Sequence, residues 1–444
     1  MQETQENIRT QKAQRIRDVI RYIQRFKNAL LVIYLDDEII DSPLFSSHIL
    51  DISLIHEAGL QVIIVPGARK RIDEVLSAAN ISWKYENNKR ITSEDAMPLI
   101  KMAAFDVSNT VMTSLAADHL TAVIGNWVRA RGIGIIDGKD FGTAGQIDKL
   151  QTDAIRTVLS NGFIPIFPCI GWSAAGKPYN ISSISLAEQI AEHLQADKLF
   201  FVMPDAEINK SHFTITEGIG ISDEGEVPAL NLDELAVFLS ANKNNKNTKI
   251  LSLLELAKQA CASGVSRVHI VNGSLDGALP CEIFSDLGSG TMIYSKNYGG
   301  LRAMTQEDIP AVLSLMRPFV QRGNLIERTD KQLSENISDY VVYEFDGGIR
   351  ACAALHIYDK KQAEIAAVAV DESCANIGIG PKLIEFLIDK ARKEKLESVF
   401  ILTTQASDWF EKLGFIADDI STLPKKRLEI WSPKRASRLF RLKI

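Results

Sequence analysis

The sequence predicts an α/β protein: a mainly parallel α/β/α sandwich followed by a smaller α+β domain. Three observations carry that expectation. Short apolar runs alternate with helical patterns from Ala29 to about Ser295, a polar glycine-bearing break follows at Tyr294 to Leu301, and beyond it three strand patterns run in succession. Alternation of this kind favours parallel strands covered on both faces. In the first part, strands are expected at Ala29 to Leu35, Gln61 to Val65, Ile164 to Phe167, Leu199 to Met203 and Val268 to Val271. Ser42 with Pro43 reads as the cap and first residue of one helix, and Thr92 with Asp95 as the capping box of another. Asn242 to Thr248 is a polar run expected to be a solvated loop. Residues 1–297 are thus one expected domain and residues 298–444 a second. Residues 1–28 carry Ile16, Val19, Ile20, Ile23 and Phe26 at helical spacing, an amphipathic helix suited to oligomerisation rather than a targeting peptide.

In the second domain a fresh strand leads to a helix capped by Thr305 and Asp308. Strands are then expected at Tyr340 to Phe345, Ile349 to Ile357 and Ala363 to Val370, followed by a helix, a strand at Ser398 to Leu402 and a helix at Ser407 to Leu413. The segment Ala363 to Arg392 is the most informative part of the chain. A buried strand enters a glycine turn containing Asn376, Gly378, Ile379 and Gly380, and Pro381 fits the first helical position. Free amides at such a helix start attract anions. Alone, the pattern is shared by mononucleotide sites and by structural turns.

The bulk composition excludes several classes. With 444 residues and 46% apolar content the chain can bury large cores, and 24% charged residues is ordinary for a globular protein. A net charge of -6 and a pI near 5.8 argue against nucleic acid, although Lys434 to Lys443 is locally basic. Cys169, Cys261, Cys281, Cys352 and Cys374 are scattered, with no CxxC pair and no matching histidine spacing, so no disulfide framework or metal site is expected and a cytoplasmic location fits. No stretch is apolar enough to span a bilayer.

The order of elements after residue 298, with Trp409, Phe410, Glu411, Lys412, Leu413, Gly414 and Phe415 near its end, resembles the GNAT superfamily of N-acetyltransferases. The resemblance extends over nearly the whole chain to the bacterial N-acetylglutamate synthase family, an amino-acid-kinase-like domain fused to a GNAT domain. The residues that carry it include Gly67, Ala68, Arg69, Ile72 and Asp73; Ser263, Gly264, Val265, His269, Asp276 to Ala278, Glu282, Phe284, Gly288, Gly290 and Thr291; Arg317, Pro318 and Gly323; Cys352 to Leu355; and Leu402 to Thr404. It implies acetyl transfer from acetyl-CoA to the α-amine of L-glutamate, the entry step of arginine synthesis. It also implies a homo-oligomer, a hexamer built through the first domain, and L-arginine as inhibitor at His269, Glu282 and Gly288.

An amine attacks a thioester only when unprotonated, so the site needs a base and donors facing the carbonyl oxygen. The resemblance makes Glu364 the base and Thr403 a hydroxyl near the substrate. Period-two alternation puts Glu364 on the face of Ala366 and Val368. Amides near Val368 and Val370 should meet the thioester and pantetheine, with Asn376, Gly378, Ile379 and Gly380 around the pyrophosphate. Arg328 and Arg435, with Leu325, match the positions that hold glutamate, and guanidinium forks suit its two carboxylates. Other residues depart from the family pattern. Asp36 and Asp37 stand where a kinase keeps a lysine and glycines, so phosphate transfer is not expected. Lys198 is retained, yet a lone lysine before a strand is more often structural. Asp286 and Leu287 replace the arginine-aspartate pair near the arginine segment, Ala375 replaces a polar residue of the coenzyme turn, and Ala367 replaces a cysteine, which favours direct attack over an acyl-enzyme. The alternatives are an acetyltransferase for another small amino acid, or a non-catalytic arginine or acetyl-CoA sensor.

Overall fold

The apolar runs of the first part form strands buried on both faces. Leu30–Leu35 (β1) has every residue buried, each side chain contributing roughly 1.5–3 kcal/mol of transfer energy. Around it lie β2 (Gln61–Pro66), β3 (Ala122–Ile124), β4 (Ile164–Ile166), β5 (Lys198–Met203), β6 (Ala229–Asn231), β7 (Arg267–Asn272) and β8 (Gly290–Tyr294), in the order β6-β8-β7-β5-β1-β2-β4-β3. All pairs are parallel except β7 with β8. Helices α1 (Phe45–Glu57), α2 (Arg69–Ala78), α3 (Met97–Ala117), α4 (Ser183–Leu194), α5 (Thr248–Ala262) and α6 (Ala278–Phe284) accompany the sheet. This computed structural model describes residues 26–444 except 87–88, 223, 285–287, 296–298, 346–347, 360, 372–373, 375–377 and 433–434, and before residue 26 only positions 16, 19, 20, 23 and 24. The helix expected over residues 1–28 therefore lies mostly outside the described residues.

The chain folds into two compact units, Met1–Glu217 with Glu224–Ser295, and Gly218–Asp223 with Lys296–Ile444. The second unit contains β9 (Gly299–Ala303), α7 (Ile309–Gln321), α8 (Asp330–Glu335), β10 (Tyr340–Phe345), β11 (Gly348–Ile357), β12 (Gln362–Val370), α9 (Ile379–Lys393), β13 (Ser398–Thr403), α10 (Ser407–Lys412), β14 (Ile416–Asp418), α11 (Lys425–Glu429) and β15 (Arg438–Lys443). Its seven strands are ordered β9-β10-β11-β12-β13-β15-β14, and only β12 with β13 is parallel. Thr305 and Asp308 form the expected capping box before α7, and Asp308 also binds the Arg302 guanidinium at 2.6 and 2.8 Å.

Several local expectations change. The helix expected from Ser42 begins at Phe45, because the Ser42 hydroxyl takes the Leu44 amide at 3.2 Å and closes a turn first. Thr92 and Asp95 make no capping box. Thr92 is buried in a bridge to Gly142, and α3 starts at Met97. Asn242 is buried rather than solvated, its amide group bridging the Thr214 backbone at 2.8 Å on both sides. The basic tail is largely a strand: Arg441 in β15 meets Asp418 at 2.6 Å and Gln362 at 2.7 Å, while Arg438 is exposed and Lys434 lies outside the described residues. Helix α9 begins two residues before Pro381, with Gly378 as its cap, so the proline sits in the first turn where its missing N–H is not needed.

Candidate active site

The position of Glu364 follows from where two strands part. β12 and β13 are paired only at Gln362 with Ser398, Ala363 with Val399 and Glu364 with Phe400. Beyond Glu364 that parallel ladder ends, leaving backbone groups on the facing edges of β12 and β13 outside it. On its other side β12 pairs with β11 through a bulge: Ala354 faces Ala366 while Cys352 faces Ala369, so β12 holds one extra residue. Ala367 has φ 57°, the left-handed region, within that irregularity. The bulge corrects the expected alternation. Glu364 and Ala366 share a face, but one step later the face passes to Ala369 and Val368 turns away from it. A bulge also removes a residue from the hydrogen-bond ladder, which leaves backbone donor capacity beside Ala367 and Val368.

Glu364 is buried, with both carboxylate oxygens engaged. Arg427 of α11 donates from Nε to Oε2 at 2.6 Å and from Nη2 to Oε1 at 3.1 Å, and the Tyr358 hydroxyl donates to Oε2 at 3.1 Å. Burial disfavours the Arg427 charge, but the Glu364 carboxylate outweighs it and holds the guanidinium above its ordinary pKa. Burial, reinforced by the Glu364 charge, pushes the Tyr358 phenol well above its usual value. A carboxylate offers about four lone-pair positions, so this pairing leaves one free. Arg427 was not foreseen from the sequence, since no spacing rule links it to Glu364. The usable signal was that a buried carboxylate needs a partner.

The two arginines predicted to hold the acceptor lie near one another and near Glu364. Arg435 donates to the Asn324 carbonyl at 2.9 Å, which ties it to the loop bearing Leu325 and Arg328. Its pKa is depressed by burial and then by the charges of Arg328 and Arg427, so the three guanidinium groups are within electrostatic reach of one another. Arg328 donates to the Ile326 carbonyl at 3.0 Å, and its charge opposes the burial that raises the Tyr340 phenol. Leu325 packs against the apolar cluster of α7 and β10–β12. Thr403 ends β13, and its hydroxyl oxygen accepts from the Ala406 amide at 3.0 Å and the Gln405 amide at 3.4 Å. Among the described residues the hydroxyl donates to no acceptor.

At the helix end, Gly378 has φ 72° and caps α9, whose first turn contains no acidic side chain. A Cβ on Gly380 would lie 3.1 Å from the Trp409 ring and 3.9 Å from Val370 Cγ2, so a larger side chain would push the ring away from this turn. Ile379 is buried, Val370 is half-buried, and Asn376 and Ala375 lie outside the described residues. In the first unit, His269 of β7 donates from Nδ1 to Glu282 Oε1 at 2.6 Å, and Glu282 Oε2 accepts from the Ser289 and Gly290 amides at 2.6 and 2.8 Å. Burial lowers the His269 pKa to about 4, so the ring is neutral near pH 7. Gly288 has φ 68° and a Cβ there would reach 2.5 Å from Glu282 Oε2. The three residues are therefore adjacent, while Asp286 and Leu287 lie outside the described residues. Lys198 is buried with its Nζ 4.5 Å from the Phe26 ring, a structural position.

Comparison with known proteins assigns both units. The Amino acid kinase family model matches residues 31–272, and the Acetyltransferase (GNAT) family model matches residues 309–415. An amino-acid acetyltransferase of Pasteurella multocida (strain Pm70) is 32% identical over 426 residues, 94% of each chain. One from Escherichia coli (strain K12) is 31% identical over 444 residues, 97% of this chain and 98% of the other. The chain belongs to the amino-acid acetyltransferase family. It is accordingly an acyltransferase enzyme, with an amino-acid-kinase-like α/β/α sandwich preceding a GNAT α+β domain. The crystal structure of N-acetylglutamate synthase from Neisseria gonorrhoeae complexed with coenzyme A and L-arginine is similar, with a TM-score of 0.79, 28% identity and coverage of 97% of this chain and 99% of that one. The same enzyme complexed with coenzyme A and N-acetyl-glutamate gives a TM-score of 0.60 at 29% identity and the same coverage. Among the described residues no group of His, Cys, Asp and Glu could hold a metal ion, and no helix is long and apolar enough to cross a membrane.

Proposed function

We propose that the second unit transfers the acetyl group of acetyl-CoA to the α-amine of L-glutamate, the first step of arginine biosynthesis. The observation that carries this reading is a buried carboxylate, Glu364, set where β12 and β13 part and paired with Arg427, whose charge is felt by Arg435 together with that of Arg328. Amides of Gly378, Ile379 and Gly380 at the α9 start hold the coenzyme diphosphate. The pantetheine arm runs along Val370 and Val368, and the amide freed by the bulge polarises the thioester carbonyl. Arg328 and Arg435 bind the carboxylates of glutamate, with Leu325 against its methylenes. Glu364 takes the amine proton through its unused lone pair or a bridging water, the amine forms the C–N bond, and the C–S bond breaks. The Thr403 hydroxyl lies at the substrate end of β13. It hydrogen-bonds the departing sulfur, and the proton that turns the thiolate into a thiol comes from solvent, balancing the one Glu364 takes from the amine and returns to solvent.

Direct attack suits the thiols of this region. Cys352 donates to the Ala367 carbonyl at 3.7 Å, and burial pushes its pKa up to about 12, so it stays protonated and unreactive at neutral pH. The first unit serves regulation and assembly: L-arginine binds near His269, Glu282 and Gly288, and the chain forms a homo-oligomer, a hexamer. Coenzyme A release measured against a panel of amino acids tests the acceptor. Glutamate should exceed aspartate, glutamine and alanine in kcat/KM. Equal rates across the panel overturn the choice.

A further inference from the structure

A five-residue helix of the second unit, α11, turns one arginine inward. Lys425, Lys426, Leu428 and Glu429 are exposed, whereas the Arg427 side chain is only 11% exposed. The turn before the helix is anchored by apolar contacts: Leu423 is buried with Phe400 and Leu439, and Ile420 and Trp431 pack against the same cluster. Burial of that cluster fixes where α11 runs, and so where the guanidinium ends. Tyr358, directly after β11, packs on the cluster too. Its ring lies 6.2 Å from that of Phe400, and Phe400 is the strand partner of Glu364. Segments distant in sequence, the end of β11, β12 and α11, therefore meet on one carboxylate.

Such a pair is a poor source of stability. Two charges taken out of water lose hydration that their attraction only partly restores, and apolar side chains of similar volume would pack as well. What the fork supplies is orientation. Parallel bonds from Nε and Nη2 fix the plane of the carboxylate. Tyr358 takes the second position on Oε2, which leaves Oε2 full and Oε1 with a single unused lone pair. We propose that Arg427 is a positioning residue for the acetyl transfer: with Tyr358 it locks the Glu364 carboxylate so that only Oε1 can take the amine proton. The inference rests on the reading of Glu364 as the base. In that step the amine N–H bond breaks, its proton joins Oε1, and the nitrogen lone pair forms the C–N bond. Arg427 keeps its proton throughout. The Tyr358 phenol keeps its own as well, because burial and the Glu364 charge hold its pKa well above the usual value.

Steady-state kinetics of full-length variants test the assignment. Arg427→Ala should lower kcat by about tenfold or more, with the KM for acetyl-CoA and for glutamate each within about threefold of the parent. Methylguanidine added to that variant should recover part of kcat, a response that misfolded protein cannot give, and Arg427→Lys should fall between variant and parent. Tyr358→Phe, which keeps the ring and its packing, should lower kcat by a smaller factor. In a Glu364→Gln background Arg427→Ala should lower kcat no further, since both act through one carboxylate. Should Arg427→Ala fail to fold, Arg427→Lys and Tyr358→Phe make the same comparison. Additive losses, or a rise in the glutamate KM with kcat retained, would make Arg427 a scaffold residue or an acceptor ligand and overturn the inference. Unchanged kcat in Arg427→Ala, with kcat lost in Glu364→Gln, overturns it while leaving the base reading intact. Unchanged kcat in Glu364→Gln defeats the base reading and this inference with it.

Discussion

Each unit sends a strand through a glycine turn into a helix, and the two turns end in opposite states. In the first, β2 leads to Gly67, where a Cβ would lie 2.8 Å from the Asp37 amide, and then to α2. The chain fills this helix start itself: Asp37 takes the Lys70 amide, while Asp36 caps the neighbouring short helix Asp37–Ile40 through the Glu38 amide at 3.2 Å and takes the Tyr34 hydroxyl at 3.3 Å. Burial raises the Asp37 carboxyl above its usual value. The Lys70 amide opposes that shift, and Asp36 adds to it. In the second, β12 leads through Gly378 into α9, whose first turn has no acid. A helix start is a phosphate site only when no carboxylate of the chain already occupies it. The first turn is thus occupied by the chain's own carboxylates, while the first turn of α9 contains none.

Substitutions should separate the two regions by the size and kind of their effects. The largest falls on Glu364→Gln, which should lower kcat by roughly 10²–10⁴-fold with the KM for acetyl-CoA little changed, followed by thiol release. Arg328→Ala should raise the KM for glutamate by about 10–100-fold, and a shift confined to acetyl-CoA would contradict its role. Gly380→Val should raise the KM for acetyl-CoA by about tenfold, because the new side chain meets the Trp409 ring and moves the helix start. An unchanged KM would place the diphosphate elsewhere.

Changes in the first unit should alter stability rather than turnover. Glu188 of α4 is buried with Oε1 unpartnered, and burial followed by the Glu192 charge raises its pKa to about 7. The folded state therefore holds a proton that the unfolded state releases near pH 4.5, so this group's contribution is full below that pH and is lost as pH rises through 7. Glu188→Gln should match the parent at pH 4.5 and exceed it at pH 8 by up to about 3 kcal/mol in urea unfolding. A pH-independent difference would refute the assignment. Asp36→Ala should cost about 1 kcal/mol through the lost cap, also read in urea, with kcat unchanged.

Much of this architecture was legible because it rests on local pattern. The buried strands, the Thr305–Asp308 box and the glycine turn before α9 all follow from period, capping and backbone freedom, which neighbours in sequence decide. What the sequence hid depends on distant partners. The bulge at Ala367 lies in an apolar run with no glycine to mark it, so the alternation looked regular while the register to β11 slipped by one. Arg427 meets Glu364 only through the path of the chain after β14. Arg441 looked like one charge in a basic tail because the pairing of β15 with β13 is non-local. Thr92 met Gly142 instead of capping α3, a tertiary contact that outweighed a local signal.

A crystal structure of the protein with coenzyme A tests the central claim most directly. The account predicts the diphosphate on the amides of Gly378 to Gly380, with the thiol beside the Ala367 bulge and within reach of Glu364. Coenzyme density in the first unit, or a thiol directed away from β12, would contradict it.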